Sequence, residues 1–152
     1  MNSPKRLSIT EFLLEVPPEY SDFVSQAHEL LIKDGYKSKF QLKKYGFTAQ
    51  YNSPITKGLA LQFFIRENVL YMYLYNIFLY EYNSFLENLP AVIIKEFAEY
   101  RNCTNSCDAC TCTALKYTIN GTLYHKCVVG RILFTVDEEI TGLLSVLQKS
   151  VN

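Results

Sequence analysis

The chain has 152 residues, of which 49% are hydrophobic and 20% are charged. A chain of this length can bury about 68–70% of the surface that its unfolded form exposes, so one domain can hold its core without disulfides or metal. Fifteen Lys and Arg side chains balance fifteen Asp and Glu side chains. This balance argues against nucleic acid and anionic membranes as partners, and leaves a small ligand or a protein partner open.

The N-terminal half predicts neither export nor membrane anchoring. The segment MNSPKRLSITEFLLEV lacks an apolar stretch of signal-peptide length. The longest apolar run, residues 69–80, contains Asn76 and is shorter than the roughly 20 residues that a membrane span needs. Five cysteines are an odd number, which a secreted disulfide framework would seldom leave. We therefore predict a cytoplasmic protein.

Two helices are predicted first. Ser8 and Glu11 have the spacing of a capping box, in which each side chain binds a backbone N–H of the other residue. Pro17 would end this short helix. Apolar side chains over residues 20–31 then recur at helical spacing. Gly35 provides the stop signal for this longer, amphipathic helix.

Alternating polar and apolar residues next predict a meander of strands. Residues 37–43 and 47–51 alternate with a period of two. The runs LALQFFIR and VLYMYLYNI follow, separated by two residues that would pair Arg66 with Val69 across a tight hairpin. The two faces of this hairpin would then carry Leu61, Phe63, Ile65, Leu70, Met72 and Leu74 on one side, and Ala60, Gln62, Phe64, Tyr71, Tyr73 and Tyr75 on the other.

The C-terminal part predicts a second hairpin, a further strand and more helix. Pro90 suits the first turn of a helix, and the Asn120-Gly121 pair between ALKYTI and TLYHKCVV is a strong hairpin signal. RILFTV has strand character, and Asp137 can cap a last helix.

This order of elements predicts an α+β fold. Strands that follow one another through tight turns form an antiparallel sheet, here built from a meander and hairpins, and the helices would cover mainly one face of it. We predict a single domain over residues 1–152, with a Cys-rich loop and hairpin inserted at about 101–129.

The segment CTNSCDACTC, residues 103–112, predicts a metal site. Its central Cys-x2-Cys has the spacing of a zinc knuckle. A two-residue turn at Asn120-Gly121 would place Lys116 opposite His125 and would return a histidine and a further cysteine, on one strand face, to the mouth of the loop. The candidate ligands are therefore Cys103, Cys107, Cys110, Cys112, His125 and Cys127.

Thiolate-rich coordination favours zinc over calcium or magnesium, with an iron–sulfur cluster as the second choice. Four protein ligands would close the site and make it structural. Two alternatives stay open, since the thiols could be inert or could form a reversible disulfide. The order of preference as zinc ligands is Cys107 and Cys110 first, then Cys127, with Cys103, Cys112 and His125 competing for the fourth place.

Two surface patterns allow other interpretations. Tyr71, Tyr73 and Tyr75 could form an aromatic platform for a flat ligand or for unpaired bases, but the outer face of a covered sheet has the same composition. The basic strip could contact phosphates, and a solvated strand that resists edge pairing explains it equally well. Its members are Lys37, Lys39, Lys43 and Lys44.

No complete catalytic motif is present. The chain lacks a glycine-framed nucleophile, a phosphate loop and an HExxH signature, and His28 flanks the apolar stripe of the long helix as a partly exposed residue. The sequence therefore favours a binding or accessory module with a structural zinc site over an enzyme. The alternative function is a thiol redox or metal-transfer protein that uses Cys107 and Cys110.

The stretch from ITEFLLEVPPEYSDFVSQAHELLI to LALQFFIRENVLYMYLYN resembles small bacterial domains of the YdhG-like family, whose function is unknown. The shared order is a short helix, a proline break, an amphipathic helix, a meander and a helix, and it covers residues 8–100. Some of these domains are described as frataxin-like candidate iron chaperones. The resemblance implies the fold class alone, and the Cys-rich loop with its hairpin departs from the family pattern.

Overall fold

The structure is a computed structural model that describes residues 5–100, 115–126 and 130–150. Short 3-10 segments join several of its regular elements. The helices and strands, in chain order, are β1 (Lys5–Leu7), α1 (Ile9–Glu15), α2 (Ser21–Lys33), β2 (Lys37–Lys43), β3 (Gly46–Asn52), β4 (Leu59–Arg66), β5 (Val69–Tyr75), α3 (Asn76–Glu81), α4 (Ala91–Glu99), β6 (Leu115–Ile119), β7 (Thr122–Lys126), β8 (Arg131–Thr135) and α5 (Leu144–Ser150).

Six strands form the main sheet in the order β1-β2-β3-β4-β5-β8, and every neighbouring pair is antiparallel. Strands β6 and β7 form a separate two-stranded sheet. The predicted α+β class, built from a meander and hairpins, is confirmed. Strand β1 was not predicted, because three residues are too few to show an alternating pattern.

The β4–β5 hairpin has the predicted register, with Arg66 opposite Val69 and Ile65 opposite Leu70. The two turn residues, Glu67 and Asn68, both have positive φ, 53° and 65°. Positive φ at both central positions is the requirement of a type I′ turn, whose twist matches that of the paired strands. The turn and the alternating side chains therefore specify the same register.

Helices pack on the face of the sheet that carries the predicted apolar set. The Phe12 ring of α1 lies 5.6 Å from the Phe40 ring of β2, and the Phe23 ring of α2 meets Phe63 of β4 edge-on at 5.8 Å. The predicted inner set is confirmed, since all its members are buried: Leu61, Phe63, Ile65, Leu70, Met72 and Leu74.

The structure contains local hydrogen bonds near two of the predicted helix starts. The Ser8 hydroxyl accepts from the Glu11 N–H at 3.1 Å, and the Ser8 N–H donates to the Glu11 carboxylate at 3.0 Å. This reciprocal pair is the predicted capping box. Near the other end of the chain, the Asp137 carboxylate accepts from the Ile140 N–H at 2.9 Å, at the first residue of the 3-10 segment that precedes α5.

The β6–β7 hairpin packs against the rest of the fold through one face. Leu115, Tyr117 and Ile119 are buried and belong to the same apolar core as the main sheet. Strand β8 then returns beside β5 and completes the sheet, with Phe134 opposite Met72. The hairpin is thus inserted between the helical segment and the last strand of the sheet.

Gly46 is the position where the sheet tolerates a side chain least. Its φ is +143°, and a Cβ atom there would lie 2.1 Å from the Ile65 carbonyl oxygen. We expect Gly46→Ala to lower the free energy of unfolding by about 2–4 kcal/mol through this clash and the strained backbone, as measured by urea denaturation. Gly121→Ala is the control, because φ is +82° there but nothing lies within 4 Å, and its loss should be about 1–2 kcal/mol. Equal losses would contradict the argument from the clash.

Candidate functional site

The β6–β7 hairpin is attached to the fold by one buried and one exposed polar contact as well as by its apolar face. The Tyr117 hydroxyl donates to the Asn76 side-chain oxygen at 2.9 Å, and both residues are buried. The Thr118 N–H donates to the Asn83 side chain at 3.2 Å. Since a buried polar group without a partner costs free energy, these contacts select one orientation for the hairpin.

The hairpin register is the predicted one, with Lys116 opposite His125 and Thr118 opposite Leu123. The turn residues Asn120 and Gly121 both have positive φ, as a type I′ turn requires. His125 is half-buried on the side of the hairpin that faces away from the main core. Its place in the strand is therefore confirmed, whereas its role as a metal ligand stays a prediction.

The five cysteines lie outside the described residues. Among the residues that the structure does describe, no group of three or more His, Cys, Asp or Glu side chains could hold a metal ion. The same hairpin alternation predicts Ala114 opposite Cys127, and this pair also lies outside the described residues. The candidate ligands that the structure does not describe are Cys103, Cys107, Cys110, Cys112 and Cys127.

Lys126, the last residue of β7, is a fully buried cation. Its ammonium group donates to the Tyr100 carbonyl oxygen and lies over the Tyr124 ring at 5.1 Å and the Tyr100 ring at 6.0 Å. Burial lowers the pKa of Lys126. Within the described residues no carboxylate is close enough to form an ion pair with it. The charge of Lys126 is thus held by a carbonyl dipole and two aromatic rings, at the residue that precedes Cys127.

The outer face of the main sheet carries a row of stacked planar groups. The Phe64 ring stacks on Tyr71 at 4.8 Å and 18°, and on Tyr73 at 5.6 Å and 25°. The Arg131 guanidinium continues the row, 4.0 Å from the centre of the Tyr73 ring, and donates to the Tyr75 hydroxyl at 3.1 Å. The side chains of the row therefore cover one another's flat faces.

The stacking of these rings on one another limits the aromatic platform that the sequence allows. Bases bind to such platforms by stacking on an open ring face, and here Phe64 and Tyr73 already use their faces for each other. Tyr75, the third tyrosine of the predicted stripe, is buried. The rings of the row are half-buried and Leu133 beside them is 46% exposed, so the outer face is accessible but offers few free ring faces.

Three lysines of the basic strip, Lys37, Lys39 and Lys43, lie on β2, and β1 pairs with only part of that strand. Strand β1 pairs with β2 from Leu7 opposite Phe40 to Lys5 opposite Leu42. Strand β1 thus covers only residues 40–42 of β2, and none of the four lysines lies in that stretch. Within the described residues Lys37 and Lys39 have no strand partner on that side, so the explanation that they resist edge pairing stays a prediction. Lys37 and Lys39 alternate with the buried Phe40 and are exposed on the outer face.

A cavity of about 460 Å³ lies at the end of the sheet where the β2–β3 and β4–β5 turns meet. Its lining includes three cations and two carboxylates, from Lys43, Lys44, Arg66, Glu15 and Glu67. The charges are mixed, so the cavity shows no preference for one class of ligand. Sequence reasoning missed it because no local motif relates two turns that are about twenty residues apart.

His28 serves the packing of the fold. Its Nδ1 is 2.9 Å from the hydroxyl of Tyr51, which is fully buried, and its ring packs against Phe40 at 5.5 Å. Burial is the main cause that lowers the pKa of His28. The predicted position, flanking the apolar stripe and partly exposed, is confirmed by its half-buried state.

Comparison with known protein families, with curated proteins and with solved structures gives no match for this chain. The resemblance to YdhG-like domains therefore stays a prediction. In the part of the chain that the structure describes, none of the helices has the length and apolar character that crossing a bilayer requires.

The lowered pKa of His28 predicts a pH dependence of stability. The unfolded chain takes up a proton near the ordinary value of 6.5 and the folded chain only at lower pH, so stability is lost as the pH falls through this window. His28→Gln should flatten the slope in urea denaturation at a series of pH values. The ring-proton NMR signal of His28 can be identified because the variant lacks it. In the wild type this signal should titrate with a midpoint below 6.5. A midpoint at or above that value would contradict the prediction.

Proposed function

We propose that this chain is a small cytoplasmic binding or accessory module whose Cys-rich segment holds a structural zinc ion. The observation that carries the proposal is the register of the β6–β7 hairpin. Leu115 and Lys126 are paired at its open end, and the chain continues from them toward cysteines on both sides. Cysteines that approach one point from two directions can complete a tetrahedral thiolate site.

The attachment of the hairpin supports a structural role for the metal. Tyr117 and Thr118 bind side chains of the helical segment that follows β5, so a ligand at the end of β7 would have a defined position. A structural zinc can contribute on the order of 10–16 kcal/mol where metal binding and folding are coupled. The residues between α4 and β6 contain few large apolar side chains and would gain most from such a contribution.

The charge of Lys126 gives independent support. A zinc ion with three or four thiolate ligands carries a net negative charge, and a buried cation without a carboxylate partner is a suitable counter-charge. Lys126 is fully buried, has no carboxylate partner among the residues that the structure describes, and directly precedes Cys127 in the sequence. Charged groups and hydrogen-bond donors around a metal centre change the affinity of its ligands for the metal.

We expect the protein, purified under reducing conditions, to contain one zinc ion per chain by elemental analysis. Replacing both Cys107 and Cys110 by Ser should remove the metal, because serine is a poor zinc ligand. Ser106→Ala is the matched control, since it changes the same segment without removing a thiol. Metal-free wild-type protein whose thiols pair reversibly on mild oxidation would support the redox alternative. Unchanged zinc in the Cys107 and Cys110 variant would contradict the proposal.

A second prediction concerns the counter-charge. Lys126→Met keeps the aliphatic stem but removes the positive charge, so zinc affinity should fall by about ten-fold to a hundred-fold in competition with a chelator. Lys116→Met makes the same change on the exposed face of the same hairpin and should leave affinity unchanged. Equal affinities of the two variants, with folding verified by circular dichroism, would show that Lys126 does not act on the metal.

A further inference from the structure

A second cavity in the described part of the chain has a volume of about 210 Å³. Five parts of the chain meet around it: the end of α2, the start of β2, the β3–β4 loop, the end of α3 and the end of α5. The polar groups of its lining are two carboxylates, two phenols and one aliphatic hydroxyl, from Asp34, Glu81, Tyr36, Tyr82 and Ser150.

The Asp34 carboxylate is held in place by two hydroxyl donors. The Tyr82 hydroxyl donates to Oδ2 at 2.7 Å, and the Ser150 hydroxyl donates to the same oxygen. These donors come from the ends of two different helices, α3 and α5. One oxygen of Asp34 is therefore used within the protein, and the other keeps its acceptor capacity.

The Glu81 carboxylate is fixed in a similar way. The Ser53 hydroxyl accepts from the N–H groups of Ile55 and Thr56, each at 3.1 Å. Its single proton is donated to Oε1 of Glu81. Because Ser53 is buried, this bond ties the orientation of Glu81 to the conformation of the β3–β4 loop.

The two carboxylates lack a counter-charge among the described residues. Neither Asp34 nor Glu81 has a Lys, Arg or His partner within ion-pair distance there. Lys57, the cation of the β3–β4 loop, donates instead to the Pro54 carbonyl at 2.8 Å. Carboxylates that share a partly enclosed space favour a cation between them.

The Tyr36 hydroxyl is the second observation that indicates a ligand. Tyr36 is only 5% exposed, its hydroxyl is buried, and it has no hydrogen-bond partner of normal geometry within the described structure. The neighbouring Tyr82 hydroxyl gives its proton to Asp34. Burial, and after it the negative field of Glu81, raises the pKa of Tyr36, so its hydroxyl keeps its proton and can both donate and accept a hydrogen bond. Native buried polar groups without a partner are rare, and a bound donor would satisfy this one.

The remaining walls of the cavity are apolar. Pro54 and Ile55 line it, and the Tyr36 and Tyr82 rings stack at 6.1 Å and 12° beside it. A hydrated divalent ion gains little from such walls and takes at least six oxygen ligands, whereas an alkylammonium ion gains from apolar contact and from aromatic rings. The volume is below the roughly 300–1,000 Å³ of sites for drug-sized ligands, so the ligand is small.

We propose that this cavity binds the primary ammonium group of a small amine with a short apolar chain. The ammonium group donates to the available oxygens of Asp34 and Glu81 and to the Tyr36 hydroxyl, and the chain lies against Pro54 and Ile55. This site shares no residue with the metal proposal, so either can fail without the other.

The probe for this site is n-butylammonium, added to the complete 152-residue chain with ¹⁵N label and followed by amide chemical shifts in NMR. We expect saturable shifts at residues 34–36 and 81–82, with a dissociation constant of about 10 mM or tighter, as a short ligand with one charged group allows. 1-Butanol has the same chain without the charge and should bind at least about ten-fold more weakly. Calcium ions should give no saturable shifts at these residues.

Substitutions then assign the binding to the named groups. Tyr36→Phe removes a hydroxyl that has no hydrogen-bond partner among the described residues, so it should leave stability unchanged and weaken n-butylammonium binding by several-fold. Glu81→Gln and Asp34→Asn keep an acceptor oxygen but remove a charge, and each should weaken binding about ten-fold or more. Glu96→Gln makes the same change on the exposed side of α4 and is the matched control.

Three results would overturn the proposal. The first is absence of saturable shifts with n-butylammonium. The second is equal binding of 1-butanol, which would make the cavity merely apolar, or saturable calcium binding in place of the amine. The third is unchanged affinity in both Tyr36→Phe and Glu81→Gln, which would place the amine elsewhere.

Discussion

The antiparallel register of strands β2 to β5 is the constraint on which the rest of the structure depends. Successive side chains of a strand point to opposite faces, so a shift by one residue would move Phe63 and Met72 from the core to the outer face. The type I′ turn at Glu67 and Asn68 holds the register from one end, and helices α1 and α2 hold it from the inner face through Phe12 and Phe23. Turn geometry and burial thus select the same pairing, and β8 extends the sheet beside β5.

Hydrogen bonds between buried polar groups fix the orientation of elements that apolar packing alone does not orient. A hydroxyl or amide removed from water must find a partner, and the partner is usually supplied by another element. Tyr117 attaches the second hairpin to Asn76 in this way, and Tyr82 attaches the end of α3 to Asp34 at the end of α2. Beside these contacts, Lys126 and the carboxylates of the Asp34 cavity have no charged partner within residues 5–100, 115–126 and 130–150. The two proposals name the groups that would neutralise these charges, a thiolate-bound zinc ion beside Lys126 and a small amine beside Asp34.

The two proposed sites differ in how the chain builds them. The metal site would use residues that are close in sequence, with His125 opposite Lys116 in the hairpin that joins the two cysteine-containing segments. The amine site would use residues from five separate parts of the chain. Hydroxyl groups orient its two carboxylates, those of Tyr82 and Ser150 at Asp34 and that of Ser53 at Glu81. A binding module with a separate structural metal is a consistent arrangement, since a metal that orders one segment leaves another surface available for a ligand.

The sequence by itself determined the features that local chemistry specifies. The capping box at Ser8, the registers of both hairpins and the inner apolar face were predictable because each depends on neighbours along the chain or on a period of two. Tertiary structure alone decided the place of β1 beside β2, the stacking of Arg131 on Tyr73, the burial of Lys126 and the meeting of Asp34, Tyr36 and Glu81 around one cavity. Residues far apart in the chain leave no periodic signal, because their proximity arises only when the elements that carry them pack together.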